Sequence, residues 1–145
     1  MIAAIEQKLS EILKEKKDLS NLIEKNQRER EQFLDEVFLD AISVLDAFSR
    51  EEKVIEDHEW NQSEDSQKAI KRLLNAKKKL NTMLEKYDVK KIVFDDDMSN
   101  DDLCSVTDTE PDAEKPNGYI LSIEKEGFTR NGHMLRRAEV VIVKN

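Results

Sequence analysis

Glycine and proline are missing from most of this 145-residue chain: Gly118 is the first glycine and Pro111 the first proline. No glycine-rich phosphate loop can therefore form before the last quarter, and nothing punctuates a helix. The single cysteine, Cys104, excludes an intrachain disulfide framework and fits a reducing compartment. No apolar run approaches the ~18 residues that span a bilayer. Met1-Ile2-Ala3-Ala4-Ile5 reaches Glu6 too soon for a signal-peptide core. The expectation is a soluble, cytoplasmic protein with no membrane partner.

Reactive groups are scarce too. Only His58 and His133 are available as imidazole bases, and neither lies in a nucleophile–base motif. Cys104 follows Asp101 and Asp102, whose negative charge disfavours the thiolate. No Cys/His cluster has zinc spacing. The acidic run from Asp95 fails as an EF-hand, because its turn position holds Asn100 or Asp102 instead of glycine and position 12 lacks Glu. No enzyme activity, catalytic residue, cofactor or metal is expected, so the protein should work through its surface.

What is abundant is charge. Charged residues make up 39% against 38% hydrophobic and 6% aromatic, too polar for a compact globule but suited to long helices with narrow apolar stripes. The net charge of −8 argues against nucleic acid or an anionic membrane as the main partner. Residues 68–91 hold nine Lys/Arg against two acids, and 92–114 hold nine acids and no base. Such blocks read first as solvated faces or loops.

From Ile2, positions 2, 5, 9, 12, 16, 19, 23, 26, 30, 33 and 37 follow strict 3-4 spacing. They place Ile5, Leu9, Ile12, Leu19, Ile23, Phe33 and Val37 on one seam, interrupted by Lys16, Asn26 and Arg30. That is a heptad pattern for a two-stranded coiled coil. A helix from Ile2 to about Ser49 would be roughly 70 Å long at ~1.5 Å per residue. A domain this small cannot cover such a rod, so a second copy of the chain should. After Phe33 the stripe widens through Leu34, Val37, Phe38, Ala41, Ile42, Val44, Leu45 and Phe48, which suits packing against several neighbours. Phe38 and Leu45 extend the expected dimer interface.

A polar break over 51–65 precedes a second helix over roughly 65–87, capped by Asn61 or Ser63. Ile70, Leu73, Leu74, Leu80, Met83, Leu84 and Tyr87 form its apolar face. Its basic face lacks the interleaved aromatics of a nucleic-acid platform, and pairing with the acidic first helix or plain solvation fits better. An acidic mobile loop over 95–114 is expected next. Asn131-Gly132 then gives the strongest short hairpin signal, since both residues tolerate the positive φ of a type I′ turn. β-favouring runs, Tyr119–Ile123 and Val140–Val143, lie on either side. The fold class is α+β: a long N-terminal coiled-coil helix, a helical bundle completed by dimerisation over 1–90, and a small C-terminal β-wing over 91–145.

Three stretches carry a resemblance. Gly118-Tyr119-Ile120, Glu126-Gly127-Phe128-Thr129-Arg130-Asn131-Gly132 and Leu135-Arg136-Arg137-Ala138-Glu139-Val140 resemble the G-x-V…K-G-Y-x-x-N-G…L-R-P-A-x-V of the GrpE family, nucleotide exchange factors of DnaK-class chaperones. Ala41 to Arg50 is similar to the family's L-L-P-V-L-D-x-L-E-R, and Leu84 to Ile92 to its L-x-K-x-G-V-x-x-I. Arg137 stands where the pattern has Pro, and Asp88 where it has Gly. Of F-D-P-x-x-H-E-A only Phe94-Asp95 remains, and the stalk is short.

The resemblance implies a parallel homodimer whose β-wing inserts against the nucleotide-binding domain of a DnaK-class chaperone and opens its cleft. It implies chaperone contacts at Arg136, Phe128, Asn131, Gly132 and Met134, with Phe128 and Met134 alternatively packing the β unit. A GrpE-like coiled-coil adaptor without exchange activity is the other reading.

Overall fold

The computed structural model describes residues 1–145. The chain divides into two compact units, Met1–Val37 and Phe38–Asn145. The boundary falls inside helix α1, Ile2–Asp57.

The first unit is helix alone. Its seam residues are left largely in water: Ile2, Ile5, Leu9, Ile12, Leu19 and Ile23 are between 51% and 74% exposed. Phe33 and Val37 are exposed as well. So narrow an apolar stripe, left in water along a helix, is what a coiled-coil partner would cover.

In the second unit α1 runs on to Asp57, eight residues past the expected end near Ser49. The polar residues after Arg50 are good helix formers, and Glu52 gains a long-range partner in Lys77 of the next helix, 2.5 Å away. The helix stops where Glu59 adopts φ 56°. The Trp60 N–H then donates to Ile55 O at 3.1 Å and the Glu59 N–H to Glu56 O at 3.0 Å. This is a Schellman closure with Glu at the position glycine usually takes, so the stop carries no glycine signature.

Helix α2, Glu64–Lys86, opens on Ser63, whose hydroxyl accepts from the Ser66 N–H. The apolar face expected for α2 divides in two. Leu84 is buried, with Ile70 and Leu74 half-buried, while Leu73, Met83 and Tyr87 stay exposed.

Two three-stranded sheets follow. The first has the order β1–β4–β5, with β1 (Val89–Lys91), β4 (Phe128–Arg130) and β5 (His133–Arg136). The second has the order β2–β6–β3, with β2 (Cys104–Glu110), β3 (Ile120–Lys125) and β6 (Ala138–Val143). The two β-favouring runs of the sequence thus pair with each other, Ile120 against Ile142 and Ile123 against Val140, antiparallel.

The acidic stretch expected as a loop over 95–114 contains strand β2, which pairs parallel with β6 from Cys104↔Ala138 to Glu110↔Val143. Val106, Thr107 and Thr109 are β-branched. An edge strand needs only one buried anchor, here Cys104, and can keep its acids in water. Counting charge concealed the strand. Cys104, Ile120, Ala138 and Val140 form a core cluster against which Phe94 and Ile142 pack.

Ile42 is fully buried on α1. Phe38 and Leu45, expected at the interface between copies, are 7% and 4% exposed within a single chain. The Phe38 ring lies 5.6 Å from that of Tyr87, centroid to centroid, and 5.8 Å below the Arg130 guanidinium. Intrachain packing already occupies both positions.

Candidate functional site

Asn131-Gly132 does form the turn of a hairpin, β4–β5, with φ of 49° and 81° at its two central residues and Arg130 paired with His133. Both values are positive, as a type I′ turn requires. A Cβ built on Gly132 would meet no atom within 4 Å, so the turn faces open space.

The turn is also braced from behind. Asp88, at the C-terminal end of α2, takes φ 58°, a left-handed conformation that Asp tolerates better than most residues. Its carbonyl accepts from the Asn131 N–H at 3.2 Å. In the amide orientation that satisfies both ends of Asn131, its NH2 donates to Asp88 Oδ2 at 3.3 Å and its oxygen accepts from Arg130 Nη1 at 3.2 Å. Lys90 Nζ lies 3.0 Å from Asp88 Oδ1. Where the family pattern has Gly, Asp88 thus adds a carboxylate that ties the end of a helix to the tip of the hairpin.

The base of the hairpin is held by Arg136. Its Nη1 and Nη2 donate to Asp46 Oδ2 and Oδ1 of α1 at 2.6 and 2.7 Å, and its Nε donates to Glu126 O at 2.8 Å. The guanidinium also lies 5.6 Å over the Phe128 ring. Parallel N–H···O bonds to one carboxylate are the strongest arrangement an arginine makes. This pairing joins residues far apart in sequence, which is why no local pattern revealed Asp46.

The hydrogen bond from Arg136 holds the Asp46 carboxyl below its ordinary value of 3.8; partial burial opposes this, and the charges of Arg136, Lys125 and Arg50 reinforce it. A carboxylate depressed in the folded state stabilises the fold fully above its unfolded value, and loses that contribution as pH falls through the lower folded value. Urea midpoints measured between about pH 5 and about pH 2 should fall more steeply for the wild type than for Asp46→Asn. Parallel slopes would mean that the fork contributes nothing to stability.

The five residues expected at a partner contact thus fall in different places. Asn131 and Gly132 are exposed at the turn, and Met134 is 36% exposed on β5. Phe128 is only 2% exposed, so its ring packs the β unit and offers a partner no surface. Inward-facing aromatics at a strand start are sequestered as soon as a second layer covers them. Arg136 is half-buried, engaged with Asp46 and Glu126. Sequence reasoning missed Asp46 and the Asp88 brace; the left-handed φ of Asp88 was foreshadowed only by its standing where a glycine is usual.

Around the hairpin lies no enclosed cavity suited to a small molecule. The space beside it, about 380 Å³, is an open groove lined by Asn81, Leu84, Glu85, Val89, Lys90, Lys91 and Phe128. No group of His, Cys, Asp and Glu is placed to hold a metal ion. No helix is long and apolar enough to cross a membrane. What the geometry offers is a rigidly backed protein surface. The family model described as GrpE matches residues 1–144. No curated protein matches the chain.

Proposed function

Because the chain belongs to the GrpE family, whose members are nucleotide exchange co-chaperones of DnaK-class chaperones, we propose that it accelerates ADP release by placing its β region against the chaperone's nucleotide-binding domain. The family match over residues 1–144 carries this reading. The β4–β5 hairpin supports it, since the turn is open to solvent while its base is braced by Asp46 and its tip by Asp88.

Mechanically, release requires that the protein bind the open form of the chaperone better than the closed form; equal affinity would shift nothing. A braced hairpin suits that demand, because a rigid surface loses little freedom on binding. The surface proposed to meet the chaperone is the turn Asn131-Gly132 with Met134.

Family membership implies dimerisation, and two stripes of this chain suit it. One is the exposed seam of the first unit. The other is on α2, where Ala69, Leu73, Ala76, Leu80, Met83 and Tyr87 follow 4-3-4-3-4 spacing and Leu73 is 69% exposed. A parallel pair of chains would cover both stripes.

Stopped-flow release of a fluorescent ADP analogue from a DnaK-class chaperone tests the proposal. Acceleration by the wild type should weaken at least ~10-fold in half-maximal concentration when Met134 is replaced by Asp, an exposed position at which a charge costs the isolated chain little. Binding without acceleration would favour the adaptor reading. Acceleration untouched by Met134→Asp would move the contact away from the hairpin.

A further inference from the structure

We propose that Asp46 is a positioning residue for partner recognition: acting from α1 through the Arg136 fork, it sets the orientation of the β4–β5 hairpin, and Arg136 itself faces inward. The proposal rests on the exchange reading only for the identity of the partner.

The donor chemistry of Arg136 is the first ground. Of the five N–H groups of a guanidinium, one on each of its three nitrogens is engaged, two to Asp46 and one to Glu126 O. One face of the group lies over Phe128, and the side chain is 16% exposed. Reaching a partner would mean breaking two charge-assisted bonds of 2.6 and 2.7 Å and leaving Asp46 unpaired, a costly exchange.

The second ground is what the fork joins. Asp46 sits one position after Leu45 and four after Ile42, both buried residues of α1, so its backbone is fixed by packing. Arg136 ends β5 and is followed after one residue by Ala138, which is fully buried at the start of β6. Between these fixed points the fork determines how β5 lies on α1. At the other end the turn is held by Asp88, in the link between α2 and β1. The hairpin is therefore pinned at its base by helix α1 and at its tip by the link that follows α2, and Met134 lies between the pins.

Asp46→Asn separates this role from a direct contact, because it leaves Arg136 in place. The substitution keeps the shape but turns one acceptor oxygen into an NH2 facing an arginine N–H, which removes one arm of the fork. Native-state hydrogen exchange at the Arg130 and His133 amides, the pair that closes the two-residue turn, should quicken by about tenfold, with the helical circular dichroism signal unchanged. The concentration giving half-maximal ADP release should rise by roughly five- to tenfold while the maximal rate holds. Arg136→Lys keeps the charge, loses the fork, and should reproduce both effects. The double variant should be no worse than either single one, as expected for residues acting as one unit.

Amide protection and half-maximal concentration both at wild-type values in Asp46→Asn would overturn the proposal. So would Arg136→Lys losing much more affinity than Asp46→Asn, since Arg136 would then be touching the partner. If the wild type does not accelerate release at all, the exchange reading fails, and the amide readout still decides whether Asp46 positions the hairpin.

Discussion

Replacing Gly127 by alanine is expected to dismantle the β region. A Cβ at residue 127 would lie 2.5 Å from the backbone nitrogen of Ala138 and 2.7 Å from Ile92 Cδ1. The isoleucine could turn aside, but the nitrogen could not. Ala138 is fully buried at the start of the central strand β6, and its N–H donates to Leu103 O at 3.1 Å. Gly127 is held as well, its carbonyl accepting from the Ile92 N–H at 2.9 Å. The extra methyl must therefore push the two sheets apart where they meet. A loss of about 3 kcal/mol or more is expected, at the upper end for overpacking, read as a large drop in the urea midpoint. The contrast is Gly132→Ala, which has open space but keeps φ 81°; it should cost about 1 kcal/mol, from backbone strain alone. If the two alanine variants were equally stable, the close approach at Gly127 would not matter.

Placing aspartate at both Leu9 and Ile12 is expected to turn a dimer into a monomer. The two side chains are 55% and 51% exposed in the single chain, so the substitutions remove little packing from their own unit. Burying each aliphatic side chain against a second copy is worth about 1.5–3 kcal/mol. Putting like charges opposite each other in the seam adds repulsion. Losing both apolar anchors alone should weaken association by roughly 10²–10⁴-fold. Sedimentation at micromolar concentration should show twice the chain mass for the wild type and one chain mass for the variant. A monomeric wild type would remove the seam as the driving force, whereas a variant that stayed dimeric would shift that role to the exposed stripe on α2.

Much of the helical architecture was legible because its signals are local. Heptad spacing marked the seam, Ser63 marked the start of α2, and the absence of glycine and proline correctly implied long helices. Where helix α1 stops was not legible, since Glu59 closes it in a left-handed conformation that side-chain type does not announce. The β region was half legible. Asn131-Gly132 gave the hairpin turn, because two consecutive positive φ values can be read from two residues. Strand β2 was hidden by its acids, as its place was set by parallel pairing with β6 more than thirty residues away.

The site followed the same division. Sequence by itself determined the family, the Asn131-Gly132 turn, and the apolar seam of the first helix, because periodicity and turn conformation act over a few residues. Only the tertiary structure decided that Phe128, Phe38 and Leu45 are buried within one chain, and that Arg136 faces Asp46. Burial and ion pairing depend on which surfaces the folded chain brings together. Two residues ninety positions apart share no local pattern, and only the folded chain brings the carboxylate to the guanidinium.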